Sequence, residues 1–198
     1  MCEGAEVLET DPHGDKVLRL ADGSILKLFR RKRLISSALL YPYARRFQHN
    51  ALALARMGIP VPTVLSVMRI PEMARDCVHY RPLPGDTMRQ VVARGVTPER
   101  RQELRRALTR LIVRLHDHGV YFRSLHIGNV IVTPEGQLGL IDFSDMRIYP
   151  WSLGKYLRKR NMQRMYKVAG EPDWVDMDAV IAGRSEEHTS ELQSPCNL

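Results

Sequence analysis

The sequence has few cysteines and lacks any long apolar run. Its three cysteines, Cys2, Cys77 and Cys196, stand far apart, and their spacing matches neither a zinc site nor a disulfide framework. No stretch of eighteen apolar residues occurs, so no membrane-spanning helix is predicted. The opening stretch, MCEGAEVLETD, is acidic and polar, unlike a secretory signal. These absences predict a cytoplasmic protein in a reducing compartment.

The composition is that of an ordinary globular protein with an excess of positive charge. Of the 198 residues, 44% are hydrophobic and 26% are charged, which suits one domain or a small two-lobed protein. The formal net charge of +8 favours anionic partners such as phosphates, nucleic acid or an acidic membrane surface. The segment RSEEHTSELQS resembles a translated sequencing adapter, so residues 184–198 are expected to be a disordered artefact. We expect the natural part of the sequence to end near Gly183.

The first half of the chain has the pattern of a small sheet with one helix. Strands are predicted over residues 5–30, where Asp22-Gly23 separates two apolar runs as in a β-hairpin. A helix is predicted over 34–57, and two short strands, TVLSVMRI and DCVHYRPL, follow it. We therefore predict a first lobe over residues 1–82.

The second half, residues 83–183, is predicted to be mainly helical. Thr97 and Pro98 have the residue types of a helix N-cap and of the first helical position. The apolar stripe of this helix consists of Leu104, Leu108, Leu111 and Leu115. The strands NVIVT and LGLIDF flank the turn PEGQ, and a basic helix is predicted over 151–170. Strands first and helices second predict an α+β protein in two lobes.

The stretch YFRSLHIGNV carries the clearest functional pattern. Aligned with the kinase catalytic loop H-R-D-L-x-x-x-N, it places Arg123 and Asn129 in register, whereas Ser124 replaces the catalytic aspartate. A second motif, IDFSD, supplies Asp142 where kinases have D-F-G. On these residues the chain resembles the protein-kinase-like superfamily over about residues 16–167. The resemblance is closest to small bacterial lipopolysaccharide-core and sugar kinases and to toluene-tolerance proteins.

The resemblance implies a two-lobed protein-kinase-like fold with a reduced C-lobe, and ATP and Mg²⁺ as cofactors. The matching kinase residues hold the magnesium ions, so Asn129 and Asp142 are the predicted metal ligands. Their separation suits one hairpin, whose antiparallel strands would return Asp142 to the end at which Asn129 lies. Mg²⁺ prefers oxygen ligands of this kind. The alternative is that Asn129 caps a turn and Asp142 only closes a strand.

Lys27 and Tyr80 are the predicted nucleotide-binding residues of the first lobe. By resemblance, Lys27 contacts the phosphates of ATP, and Tyr80 lies in the hinge-like stretch VHYRPLPG. The alternative for Lys27 is an exposed lysine on an edge strand. No G-x-G-x-x-G occurs, and no glutamate lies between residues 35 and 58 to pair with Lys27. The candidates for a neutral replacement are Gln48, His49 and Asn50.

Ser124 leaves the catalytic activity open. A serine orients an acceptor hydroxyl but is a poor base, and losing general-base catalysis costs roughly 10²–10⁴ in rate. Phosphoryl transfer depends mainly on positioning and charge stabilisation, so turnover need not be abolished. The protein is a slow enzyme, or Asp145 or His126 replaces the base, or it binds nucleotide without turnover; His126 also suits a structural, hydrogen-bonded role. By resemblance, the catalytic residues are Ser124, Asp142 and Arg123.

Two basic clusters suggest what the protein contacts. They are RRKR at Arg30–Arg33 and the helix that carries Lys155, Arg158, Lys159, Arg160, Arg164 and Lys167. The basic helix suits peripheral contact with an anionic membrane or with a phosphorylated sugar; the alternative is a solvated helix face. No nucleic-acid motif occurs, so nucleic acid is not an expected partner.

The leading prediction is an enzyme, an ATP- and Mg²⁺-dependent phosphotransferase. By resemblance, its acceptor is a sugar hydroxyl of the anionic lipopolysaccharide core, reached at the cytoplasmic face of the inner membrane. The first alternative is a pseudokinase, a nucleotide-binding regulatory module without turnover because Ser124 replaces the catalytic aspartate. The second alternative is a non-enzymatic protein that binds a membrane surface or nucleic acid through its charge.

Overall fold

The computed structural model describes residues 4–12, 14–30 and 42–183. It contains an antiparallel sheet and several helices, so the predicted α+β class is confirmed. Three predictions fall on other residues: the adapter tail 184–198, the helix start at 34–41 and most of the RRKR cluster. Among the described residues, no helix has both the length and the apolar character that crossing a bilayer requires.

The first of two units comprises residues 1–85 and 133–145 and contains a five-stranded antiparallel sheet. Its strands are β1 (Glu6–Asp11), β2 (Gly14–Arg19), β3 (Ile25–Arg30), β4 (Thr63–Ile70) and β5 (Arg75–Arg81). Their spatial order is β1-β2-β3-β5-β4, so β3 has a neighbour on each side. Within this register Lys27 lies opposite Val17 on β2 and opposite Val78 on β5.

The predicted hairpin at Asp22-Gly23 is confirmed as the turn between β2 and β3. Leu20 and Ser24 close it: the Leu20 amide donates to the Ser24 carbonyl at 2.8 Å. Gly23 has a φ of +79°, a backbone conformation that glycine adopts without steric cost. The turn fixes the register of β3 and therefore the face on which Lys27 lies.

Helix α1 (Tyr43–Arg56) lies in the first unit and contacts β3, β4 and β5. Its buried side chains recur at helical spacing and are Ala44, Phe47, Asn50, Ala51 and Leu54. The Phe47 ring lies 5.3 Å from that of Tyr80, measured between centroids. The helix thus joins the sheet through an aromatic core.

The second unit comprises residues 86–132 and 146–198. Its helices are α2 (Met88–Ala93), α3 (Pro98–Asp117), α4 (Lys155–Tyr166) and α5 (Met177–Ala182). Its short strands are Asp86–Thr87, Val120–Tyr121, Val130–Val132 and Arg147–Ile148. The first of these pairs with residues 131–132 and the last with 120–121, both antiparallel.

Helix α3 begins and packs as predicted. The Thr97 side chain caps it by accepting a hydrogen bond from the Arg100 amide at 3.2 Å, and Pro98 is its first residue. All four leucines of the predicted stripe are buried. The helix ends before Gly119, where a Cβ atom would lie 2.2 Å from the Tyr149 carbonyl oxygen. Only glycine fits there.

Helix α4 is shorter than the predicted helix over 151–170. It begins after Gly154, because the amide of Leu153 donates to the carbonyl of His116 at 2.8 Å and holds this stretch outside the helix. Beyond it, α5 was not predicted. The Asp176 side chain caps α5 by accepting from the Ala179 amide at 2.9 Å.

Candidate functional site

Lys27 lies in the interior of the first unit's sheet with its side chain buried. The residue is 8% exposed. Its Nζ donates to Oδ1 of Asp142 at 2.5 Å. Because an unpaired buried ammonium group is strongly unfavourable, the carboxylate of Asp142 is what permits Lys27 to be buried. The alternative of an exposed lysine on an edge strand is therefore wrong.

Asp142 combines an unusual backbone with a partly exposed carboxylate. Its φ is +52°, in the left-handed region, which the described chain otherwise uses only at glycines and at Ala74. Aspartate tolerates this region better than most residues, but the conformation is still unfavourable. The side chain is 48% exposed despite its ion pair with Lys27. Unfavourable backbone conformations of this kind concentrate at functional sites.

The segment before Asp142 is held by a close backbone approach. The amide of Leu140 donates to the carbonyl oxygen of Pro60 at 2.9 Å. At Gly139 a Cβ atom would lie 2.6 Å from the same oxygen, so a larger residue would push the segment away. Glycine at this position lets the strand Leu138–Leu140 run close to Pro60, and this path places Asp142 within reach of Lys27.

The residue after Asp142 is held equally firmly. Phe143 is fully buried, and its ring stacks on Phe47 of α1 with 4.6 Å between centroids. Asn50, also on α1, donates from Nδ2 to the carbonyl oxygen of Phe143 at 2.8 Å. The other two candidate partners of Lys27, Gln48 and His49, are exposed. Helix α1 therefore supports Asp142 indirectly, by holding the backbone of the next residue, Phe143. The charge of Lys27 is matched by Asp142 and not by a residue of α1.

Tyr80 lies on β5, two residues after Val78, which is paired with Lys27. Burial raises the pKa of its hydroxyl well above the ordinary value, and the negative charge of Asp142 adds to that effect. Tyr80 therefore stays neutral, packed on Phe47. Its assignment to nucleotide binding stays a prediction.

In the second unit, the loop that carries Arg123 and Ser124 is fixed at Phe122. The Phe122 side chain is fully buried. Its amide donates to Oδ1 of Asn161 at 3.1 Å, and its carbonyl accepts from Nδ2 of the same side chain at 2.5 Å. Asn161 on α4 thus satisfies both backbone groups of the residue that precedes Arg123.

His116 completes this buried network. Its Nε2 lies 3.1 Å from Oδ1 of Asn161, and since that oxygen can only accept, Nε2 carries the proton. Burial lowers the pKa of His116 to about 4; the charge of Arg158 lowers it further, and the bond to Asn161 and the charge of Asp117 partly offset this. His116 is therefore neutral at pH 7 and serves the loop structurally.

The three predicted residues of the loop have different environments. Arg123 is exposed, Ser124 is half-buried and Asn129 is buried. Nδ2 of Asn129 donates to the carbonyl oxygen of Ser124 at 2.9 Å. That bond orients the amide of Asn129 so that Oδ1 remains its acceptor atom, which is the atom a cation would need.

His126 has a structural role in the loop, and this argues against it as the replacement base. Its Nδ1 accepts a hydrogen bond from the Gly128 amide at 3.0 Å and caps the turn Ile127–Asn129. With that lone pair engaged, the neutral ring carries its proton on Nε2. The other suggested base, Asp145, belongs to the first unit and stays a hypothesis.

The donor atoms present suit a magnesium ion. Asp142 offers a carboxylate and Asn129 an amide oxygen, which are ligands that Mg²⁺ accepts alongside water and phosphate oxygens. The described residues contain no cluster of three His, Cys, Asp or Glu side chains that would suit a transition metal. Asn129 and Asp142 lie in different units, so their joint binding of one ion stays a prediction.

Sequence reasoning missed several residues that support these groups. They are Asn161, Arg89 and Glu171. A signal existed for Asn161, because it stands beside Met162 and three residues after Arg158 on the buried face of α4. A polar residue at a core position of a helix usually has a hydrogen-bond partner in the interior. No local pattern indicates that Arg89 and Glu171 pair.

A comparison with known families gives a match to the second half of the chain. Residues 86–181 match the model of the lipopolysaccharide kinase (Kdo/WaaP) family, which is part of the protein-kinase-like superfamily. The predicted resemblance is thereby confirmed for that region. The match includes Ser124, Asn129 and Asp142 but not Lys27. No curated protein matches the chain. The family suggests a kinase-like phosphotransferase of lipopolysaccharide biosynthesis, with a nucleotide and a sugar or lipopolysaccharide-core substrate.

Proposed function

We propose that this protein uses ATP and Mg²⁺ to phosphorylate a sugar hydroxyl of the lipopolysaccharide core. The observation that carries the proposal is the buried Lys27, whose charge is matched by Asp142 in a left-handed backbone. The family match supports the substrate class, because its members are described as lipopolysaccharide kinases. Since Lys27 and Tyr80 lie outside the matched region, their assignment rests on the first unit's geometry.

Each predicted residue is assigned one task. Lys27 binds phosphate oxygens of ATP, and Asn129 and Asp142 hold Mg²⁺. When bound, the ion supplies positive charge that offsets the charge on the phosphate oxygens. Tyr80, whose hydroxyl is uncharged, is assigned to the nucleotide-binding site together with Lys27. The partly exposed carboxylate of Asp142 can keep Lys27 as a neighbour while it accepts a metal.

Ser124 and Arg123 are assigned to the acceptor. The Ser124 hydroxyl orients the sugar hydroxyl, and the exposed guanidinium of Arg123 attracts an anionic group of the same sugar. The sugar oxygen forms a bond to the γ-phosphorus, the bond from that phosphorus to the bridging oxygen breaks to leave ADP, and the hydroxyl proton passes to solvent. Without a carboxylate base at Ser124, we expect slow turnover.

A pseudokinase is the second candidate, and Ser124 is the observation that favours it. It replaces the residue that would accept the proton, and the described residues of α1 supply Asn50 rather than a glutamate near Phe143. Nucleotide would then bind without being hydrolysed or transferred, and the protein would act through its bound state.

We expect Mg²⁺-dependent formation of ADP by the folded full chain when lipopolysaccharide core is supplied. Ser124→Asp should raise the rate roughly 10- to 100-fold by restoring a base, and Ser124→Ala should change it by less than about tenfold. ADP release is measured directly, and mass spectrometry shows whether the acceptor has gained a phosphate. ATP binding without ADP formation, in wild type and Ser124→Asp alike, would favour the pseudokinase. No Mg²⁺-dependent ATP binding would reject both candidates.

Peripheral contact with the cytoplasmic face of the inner membrane belongs to the same proposal. The outward face of α4 carries only basic charges, which are Lys155, Lys159, Arg160, Arg164 and, just beyond the helix, Lys167. Three exposed aromatic residues adjoin them: Trp151, Tyr156 and Tyr166. Basic charge with interfacial aromatic side chains suits an anionic leaflet.

Vesicle sedimentation tests this contact. The chain should bind vesicles that contain phosphatidylglycerol at about 50 mM salt and leave them at about 200 mM, because exposed charges are screened. Lys159→Glu should weaken binding about tenfold, since it reverses one charge near the lipid surface. The control Arg110→Glu makes the same change at an exposed position of α3 and should have less than about a threefold effect. Equal weakening by both variants, or tighter binding to duplex DNA than to vesicles, would contradict the proposed surface.

A further inference from the structure

Arg89 lies between the loop that carries Ser124 and Asn129 and the buried carboxylate of Glu171. It lies at the second position of α2, and its Nη2 contacts Oε1 of Glu171 at 2.6 Å. The Glu171 side chain is 3% exposed, whereas that of Arg89 is 52% exposed. The other carboxylate oxygen of Glu171 is buried and has no partner among the described residues. Because a buried carboxylate requires compensation, Glu171 holds the guanidinium of Arg89 at a fixed place.

That place is directly against Gly128. A Cβ atom at Gly128 would lie 3.0 Å from both Cζ and Nη1 of Arg89, and 2.9 Å from Cε1 of His126. A Cβ atom at these distances would force the guanidinium or the His126 ring to shift, so glycine at position 128 permits this close packing. The missing side chain at Gly128 and the length of Arg89 therefore fit each other.

The same guanidinium reaches His126. Its Nη2 lies 3.4 Å from Nδ1, the atom that also accepts the Gly128 amide. Arginine can only donate, so Nδ1 of His126 is the acceptor in this contact. Arg89 thus contacts both residues that determine the conformation of the turn Ile127–Asn129.

We infer that Arg89 is a positioning residue, held by Glu171, which fixes this turn and so orients the metal-binding oxygen of Asn129. Asn129 directly follows Gly128, and its amide is already fixed at Nδ2 by the Ser124 carbonyl. Two restraints, one on the backbone before Asn129 and one on its side-chain amide, leave its Oδ1 in one orientation. The inference rests on the proposed function for the meaning of that orientation, but the restraint on the turn is independent of it. Groups behind metal ligands typically change metal affinity 10- to 100-fold.

Arg89→Gln in the full chain tests the inference. The variant should lower the apparent affinity for Mg²⁺ at fixed ATP at least about tenfold, and leave ATP binding without Mg²⁺ within about twofold. The control Arg94→Gln removes an exposed arginine from the same region, one that pairs with Asp86, and should change neither value beyond about twofold. Arg89→Lys keeps the charge but loses the planar fork, so an intermediate loss is expected. Unchanged Mg²⁺ affinity in folded Arg89→Gln overturns the inference.

Two spectroscopic readouts separate this inference from the proposed function. In Arg89→Gln, hydrogen exchange of the Gly128 amide should accelerate at least about tenfold, and the imidazole ¹⁵N shifts of His126 should move, while those of His116 stay unchanged. If wild type binds no Mg²⁺-dependent ATP but these changes occur, the proposed function fails and the restraint on the turn stands. If neither readout changes, or if Tm and both affinities fall together, Arg89 is not a positioning residue.

Discussion

Asp142→Asn is expected to weaken Mg²⁺-dependent ATP binding at least about 100-fold, equivalent to about 2.7 kcal/mol. The substitution keeps the size of the side chain, and asparagine also tolerates the left-handed backbone found at this position. What it removes is the negative charge that the metal requires and that matches buried Lys27. The effect should therefore exceed that of neutralising an exposed carboxylate that has no buried partner, such as Glu135. Titration of ATP at several Mg²⁺ concentrations measures it.

Glu135→Gln provides the matched control for that variant. Glu135 lies in the same chain segment, on the exposed turn before the strand Leu138–Leu140, and loses the same unit of charge. It should bind Mg²⁺ and ATP within about twofold of wild type. Lys27→Met should lower ATP affinity both with and without Mg²⁺, because the lysine is proposed to bind the phosphates and not the metal. Equal effects of Asp142→Asn and Glu135→Gln would mean that the site has been misplaced.

The second large effect concerns stability between pH 7 and pH 4. In the unfolded chain His116 has an ordinary pKa of 6.5, whereas burial in the folded protein lowers the pKa of His116 to about 4. Between these values the unfolded state binds a proton that the folded state does not. The free energy of unfolding should therefore fall as the pH falls through this window, by up to about 1.4 kcal/mol per pH unit. The total loss from His116 is about 3 kcal/mol at pH 4.

Urea denaturation of wild type and His116→Gln at pH 7.5, 6 and 5 isolates this contribution. Glutamine keeps a donor for Asn161 but does not titrate, so the stability difference between the two proteins should shift in favour of the variant as the pH falls. His118→Gln is the control, because His118 is exposed and lies at the C-cap of α3. It should leave the pH dependence of the free energy of unfolding unchanged. A wild-type minus His116→Gln difference that is constant from pH 7.5 to 5 would show that His116 titrates normally in the folded protein.

Local sequence signals predicted the elements that form from neighbouring residues. Asp22-Gly23 specifies its turn because glycine adopts a positive φ there, and Thr97-Pro98 specifies the start of α3 through a cap and a fixed φ. The start of α4 was misplaced for the opposite reason. Residues before Gly154 are held out of the helix by the carbonyl of His116, which is distant in sequence. Two-residue strands and α5 likewise depend on what packs against them.

The candidate site divides in the same way. The motifs in YFRSLHIGNV and IDFSD pointed to Asn129 and Asp142, because each motif consists of residues that are close together in the sequence. The ion pair of Lys27 with Asp142 joins residues separated by 115 positions and was not predicted. The pair of Arg89 with Glu171 spans 82 positions. Such partners are determined by tertiary packing, and their sequence context resembles that of many surface charges.

The most direct test asks whether Asn129 and Asp142 bind the same ion. Mn²⁺ substituted for Mg²⁺ in the presence of ATP should broaden the side-chain amide signals of Asn129 beyond detection, while the exposed side chain of Gln163 stays sharp. In Asp142→Asn, the Asn129 signals should remain sharp at the same Mn²⁺ concentration. Asn129 signals that stay sharp in wild type while ATP and Mn²⁺ are bound would contradict the proposed site.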